Sequence, residues 1–250
     1  MVIAHAKDLS VLLVAAVLLT SCSRSPHENE SPRRQSTRDE NGDAVSYVMI
    51  NVPGTTTSFP RLTSFRDSSV MKRVNDQLDQ ETRKFKCEDD SNPKTEFMVQ
   101  ASVTYAARDI FSIDASASYN CGGPYPTNDA DMSMTFDLKT GNRVELEDLF
   151  DGYSTDKRKI LEMAFANQIE HTAKLLAAKT EDDGSCEKNT DLYTVDNLAG
   201  SSFSFSFAPA GLQMKPQWPH VVEVCAERVT VPYKMLSPFA RASGLLARVQ

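Results

Sequence analysis

The fold turns on residues 97–119, which read Phe97-Met98-Val99-Gln100-Ala101-Ser102-Val103-Thr104-Tyr105, then Ala106-Ala107-Arg108-Asp109-Ile110, then Phe111-Ser112-Ile113-Asp114-Ala115-Ser116-Ala117-Ser118-Tyr119. Phe97, Val99, Ala101, Val103 and Tyr105 share one face of the first run. Phe111, Ile113, Ala115, Ala117 and Tyr119 share one face of the second. Side chains alternate faces along a strand, so a strict period of two predicts two strands, each with one buried face. The short Arg108-Asp109 link predicts an antiparallel hairpin. Ser112, Asp114, Ser116 and Ser118, on the opposite face, predict that this side stays wet.

Working outward, Val45 to Val52 is an apolar run closed by Pro53-Gly54, a first strand and turn. Ser69 is placed to cap a helix in which Val70, Val74 and Leu78 recur one turn apart, running to about Phe85. Met132, Met134, Phe136 and Leu138 form a further strand, turning at Lys139-Thr140-Gly141-Asn142. Leu161, Phe165, Ile169, Thr172 and Leu176 form one stripe, which predicts a single helix over 155–178. Phe203, Phe205 and Phe207 alternate with serines, and two last strands are expected at 212–214 and 229–233. Hairpins with two main helices predict an α+β class, an antiparallel sheet with both helices packed on one face.

The N-terminus has a different character. Lys7 precedes an apolar run from Val11 to Leu19, followed by Leu19-Thr20-Ser21-Cys22. The run is too short to span a bilayer, which takes about 20 apolar residues. It has the pattern of a signal peptide, and its last four residues look like a bacterial lipobox. Residues 1–21 are therefore expected to be removed, and Cys22 to carry lipid that holds the chain on a membrane. Ser23 rather than Asp after the cysteine favours the outer membrane, facing the periplasm, in a cell that has one. Residues 22–44 are rich in Ser, Pro, Arg, Glu and Asn and read as a flexible tether, which leaves 45–250 as one folded domain.

Of five cysteines, lipidation of Cys22 leaves Cys87, Cys121, Cys186 and Cys225. In an exported chain these read as two disulfides, with three connectivities open. Cys87 with Cys121 and Cys186 with Cys225 are preferred, because each pair staples neighbouring segments. No Cys-x-x-Cys pair supports a metal site, and no cofactor is expected. A net charge of −7 excludes the basic footprint of a nucleic-acid binder and favours a basic protein partner.

Catalytic residues are scarce. His27 lies in the tether, His171 falls mid-helix, and His220 follows Trp218-Pro219 in a loop. A hydrolase would need His220, but no Gly-x-Ser-x-Gly elbow accompanies it. The acidic groups at Asp129 and Asp131, Glu145 to Asp148 and Glu181 to Asp183 read as solvated faces rather than calcium loops or glycosidase pairs. No catalytic residue is assigned, and the expectation is a protein that is not an enzyme. Asn120-Cys121-Gly122-Gly123-Pro124-Tyr125-Pro126 is a stiff segment able to present Tyr125. Trp218, bracketed by prolines, is a second candidate contact.

The order Tyr119 to Pro126, then Met134-Thr135-Phe136-Asp137-Leu138-Lys139-Thr140-Gly141, then Val144 to Phe150, resembles the extracytoplasmic domain of RsiV-type anti-sigma factors. The same domain type, domain of unknown function 3298, also sits beside the catalytic domain of PdaC-type peptidoglycan deacetylases. Val229-Thr230-Val231-Pro232-Tyr233 is similar to that family's closing strand, so the resemblance covers Val45 to Phe239. Pro124 and Tyr125 stand where the family carries alanine or a neighbour and then histidine. The resemblance implies a binding module, because the RsiV domain senses lysozyme by binding it. It implies no enzyme activity, since no deacetylase domain accompanies it. An envelope lipoprotein that binds or inhibits a lysozyme-like cell-wall hydrolase, an immunity protein among the forms this could take, is the leading expectation. A peptidoglycan-binding or envelope-maintenance lipoprotein is the alternative.

Overall fold

The computed structural model describes residues 34–38, 44–53, 55, 57–84, 96–120, 127–178, 186 and 191–249. Cys22, Cys87, Cys121, Gly122, Gly123 and Tyr125 lie outside the described residues. The strands are β1 Arg34–Arg38, β2 Ala44–Asn51, β3 Ser58–Ser64, β4 Glu96–Ala107, β5 Ile110–Asn120, β6 Thr127–Asp131, β7 Met134–Asp137, β8 Asn142–Val144, β9 Ser202–Ala208, β10 Gly211–Gln217 and β11 Val229–Val231. The helices are α1 Ser68–Thr82, α2 Tyr153–Ala164, α3 Ala166–Ala178, α4 Val195–Gly200, α5 His220–Glu223, α6 Tyr233–Leu236 and α7 Leu245–Arg248. The chain is α+β, and every strand pair is antiparallel.

The expected hairpin forms as read. Val99 pairs with Ala117 and Val103 with Ile113, and the turn puts Arg108 and Asp109 at positive φ, 51° and 60°. Two consecutive left-handed residues match the right-handed twist of the strands they join. Around this hairpin the strands of the described residues form three sheets rather than one: β1-β2-β3, β4-β5-β7-β8 with β6 also on β5, and β9-β10-β11. The helices correspondingly do not share one sheet face. α1 packs Val70, Val74 and Leu78 into a core with β2, β3 and the hairpin's apolar face. Leu161 and Ile160 of α2 join a second core built on β9, β10 and β11.

The reason lies on the hairpin's polar face, which is not wet throughout. Near the turn, β9 covers it, and Ser112 is fully buried. There the Phe207 N–H donates to Ser112 Oγ at 2.9 Å, and Ser112 Oγ lies 2.8 Å from Thr135 Oγ1. A serine therefore joins two sheets by a hydrogen bond that satisfies a buried backbone donor.

Three further expectations are corrected. β1 pairs with β2 from Arg34 to Arg38, inside the stretch read as tether, so ordered pairing begins before residue 45. The 155–178 helix breaks at Phe165 (φ −110°, ψ 23°), whose ring is fully buried against Tyr193 and Phe203 at 6.1 and 5.7 Å. The cap of α1 is Asp67 rather than Ser69, and its carboxylate accepts from the Ser69 and Val70 N–H groups. A hydrogen bond from the Ser69 hydroxyl above all, with those from the Val70 and Ser69 N–H groups, holds the Asp67 carboxyl below its usual range.

Candidate functional site

Away from the hairpin turn, the polar face of β5 opens. β9 no longer covers it, and Ser116 and Ser118 line a cleft of about 430 Å³. One wall is Met98 and Gln100 of β4 with Asp129 and Asp131 of β6. The other is Lys215 of β10 with His220, Glu223 and Val224 in and just after α5.

Charges beneath this cleft are matched. Lys215 Nζ is 2.6 Å from Asp131 Oδ2. The Arg228 guanidinium lies 2.6 Å from Asp114 Oδ2 and 3.9 Å from Asp131 Oδ1. The Ser133 hydroxyl donates to Asp114 Oδ1 at 2.8 Å. The Asp131 side chain is only 5% exposed, so its reading as part of a solvated face is wrong. A carboxylate at that depth needs both cations. Two anions thus meet two cations, and the account closes.

It stays open in the cleft itself. Among the described residues, neither Asp129 nor Glu223 has a cation within 4 Å. Burial holds the Glu223 carboxyl above its ordinary value. Lys215 and, more weakly, His220 work against that rise, whereas Asp131 and Asp129 reinforce it. His220 opens α5, where a loop was expected, and lines the cleft. Among the described residues it makes no hydrogen bond to a serine or a carboxylate. No group of three His, Cys, Asp or Glu side chains among the described residues could hold a metal.

The α5 wall is both apolar and anchored. Val221 and Val224 are 78% and 86% exposed, and Met98 across the cleft is 54% exposed. Cys225 is bonded to Cys186, as preferred from the sequence, with Cα atoms 5.1 Å apart. The Tyr193 hydroxyl donates to the Cys225 carbonyl at 3.0 Å and accepts from the Glu227 N–H at 2.6 Å. Burial pushes that phenol up to about 12. Trp218 is half-buried, edge-on to Tyr193 with centroids 4.9 Å apart, and its indole N–H donates to Ser201 Oγ. It lines a second hollow with Leu192, Pro219 and Val222. Sequence reasoning missed Val221 and Val224. The only signal was an apolar Val-Val-x-Val run too short for a core helix.

No family profile matches the chain, and no curated protein matches it. A crystal structure of a DUF3298 family member from Bacteroides fragilis superposes at a TM-score of 0.52 with 11% identity, covering 88% of this chain and 95% of that one. The chain has the DUF3298 fold. A DUF3298 family protein from Pseudomonas aeruginosa PAO1 aligns at 0.46 with 14% identity, covering 85% and 95%. The DUF3298 fold accounts for the order of strands and helices and leaves the chemistry of the cleft to this chain's own residues.

Proposed function

We propose that this chain is an exported envelope lipoprotein, anchored through Cys22, whose DUF3298-type domain binds another protein and performs no chemistry itself. The partner is a basic, lysozyme-like cell-wall hydrolase, which binding inhibits. The observation that carries this reading is the pair Val221 and Val224, exposed on a one-turn helix that a disulfide and Tyr193 hold in place. Large apolar side chains held together in solvent, with a polar rim beside them, mark a contact surface. The net charge of −7 would speed encounter with a basic partner.

The test is binding and inhibition of purified muramidases by the full-length chain at low and high salt. Saturable inhibition is expected, with association slowing as salt rises. A muramidase panel that is neither bound nor inhibited would refute the partner. Loss of membrane anchoring and of palmitate labelling in Cys22→Ala tests the address, and unchanged anchoring would refute it.

A further inference from the structure

We infer that the cleft between β4–β6 and α5 receives an arginine or lysine side chain projecting from the protein partner, its stem along Met98 and Val224 and its charge at Asp129 and Glu223. This rests on the protein-binding reading above and gives it a contact point. The argument is one of charge and shape.

Asp114 and Asp131 are matched by Lys215 and Arg228, so among the described acids that line the cleft Asp129 and Glu223 are the two without a cation within 4 Å. Asp129 and Glu223 come from β6 and α5, so two elements far apart in the chain converge there. Burial beside Asp131 and Asp129 already penalises the Glu223 anion, and an incoming cation relieves that penalty. A long basic side chain suits this setting because its methylenes lie along apolar groups while its head carries the charge. A metal ion is not favoured, since no group of three His, Cys, Asp or Glu side chains among the described residues could hold one. Nor is a free small cation, because Val221 lies outside the cleft at 78% exposure and is covered only by a surface.

The experiment has two arms on the full-length chain held in detergent. In the first, the dissociation constant of a c-type lysozyme is measured for wild type, for D129N/E223Q, and for D76N/E170Q. The last pair removes the same charge from α1 and α3, outside the cleft. The cleft pair is expected to weaken binding about 30-fold or more, as loss of a desolvated charge contact does. The control is expected to weaken it no more than about threefold, the share carried by screened long-range charge. Equal losses in both would overturn the cleft and leave the protein-binding reading standing.

In the second arm, methyl resonances of Met98 and Val224 are followed during titration with Nα-acetyl-arginine methylamide and with its uncharged citrulline counterpart. Shifts with the arginine probe alone are expected. No shift, or equal shifts with both probes, would overturn the cleft whatever lysozyme does. Absence of lysozyme binding together with arginine-specific shifts would refute the lysozyme partner and keep the cleft.

Discussion

Replacing Ser112 with alanine removes one oxygen and almost no volume, yet it touches the bond that joins the two halves of the domain. Two buried groups lose their partner. The Phe207 N–H, which donates to Ser112 Oγ at 2.9 Å, loses that acceptor, and Thr135 Oγ1, 2.8 Å away, loses its hydroxyl neighbour. Ser112, Thr135 and Phe207 are all fully buried, so water does not replace what is lost. An unsatisfied buried polar group costs about 1–3 kcal/mol, so losing two partners should destabilise by about 2–6 kcal/mol. Because alanine fills nearly the same space, little of that is a cavity term.

Urea unfolding followed by fluorescence measures it. With a slope of about 2–3 kcal/mol per M, the midpoint should fall by about 0.7–3 M. Thr135→Val should cost less, since Ser112 still accepts from Phe207. The double variant S112A/T135V should be less destabilised than the sum of the singles, because the orphaned threonine hydroxyl is gone. A midpoint shift for Ser112→Ala below about 0.3 M, with the slope unchanged, would refute the claim that this serine holds β9 on the hairpin.

Gly211 has φ 153°, and a Cβ there would fall on the Val231 carbonyl, so Gly211→Ala should cost about 3 kcal/mol or more in thermal melts. The Cys186–Cys225 bond closes a separation of 39 residues, and chain entropy assigns it about 4 kcal/mol. C186S/C225S should lose stability on that scale by urea unfolding, and should weaken partner binding further by freeing α5. At Asp137, burial opposes the charge, but the Arg248 guanidinium at 2.7 and 3.1 Å and the Lys139 N–H overcome it and hold the carboxyl below its usual range. A depressed folded value means the stabilisation is fully present above the unfolded carboxyl pKa, near 4, and is lost as pH falls through the folded value. Asp137→Asn should therefore cost about 1–3 kcal/mol at pH 7 and lose less stability than wild type as pH falls from 5 to 2, measured by unfolding across that range.

The parts of the fold legible in the sequence were those whose signal is local. The β4–β5 hairpin shows its alternation and its turn residues in one stretch, and the α1 stripe of Val70, Val74 and Leu78 is continuous. β1 was illegible because Arg34–Arg38 pairs through backbone groups, which leave no hydrophobic trace. The break at Phe165 has no glycine or proline to announce it; buried ring packing imposes it. Ser112 misled for a simple reason: a serine facing water and a serine accepting from another sheet look alike in sequence. Trp218 marked the right segment: its indole N–H bonds Ser201, and the valines beyond it face solvent. The cleft could not be read at all, because Asp129 and Glu223 meet only once β6 and α5 are folded against each other.

One strand face explains how a single domain holds both a sealed seam and an open cleft. Along β5, the polar positions run from Ser112 through Asp114 and Ser116 to Ser118. At the sealed end, a neutral hydroxyl suffices, because burying it costs little once it is bonded. Midway, Asp114 is partly buried and Asp131 beside it nearly wholly so, and each requires its cation from β10 or from the segment leading into β11. Those ion pairs fix β10 against β6 and so set the width of the cleft beyond them. At the open end, the disulfide and Tyr193 hold α5 in place before any partner arrives. A contact surface ordered in advance loses little conformational freedom on binding, so few residues can supply useful affinity. Val221, Val224, Met98, Asp129 and Glu223 are few, and in the proposed binding role this rigidity would let so small a surface serve as a docking point.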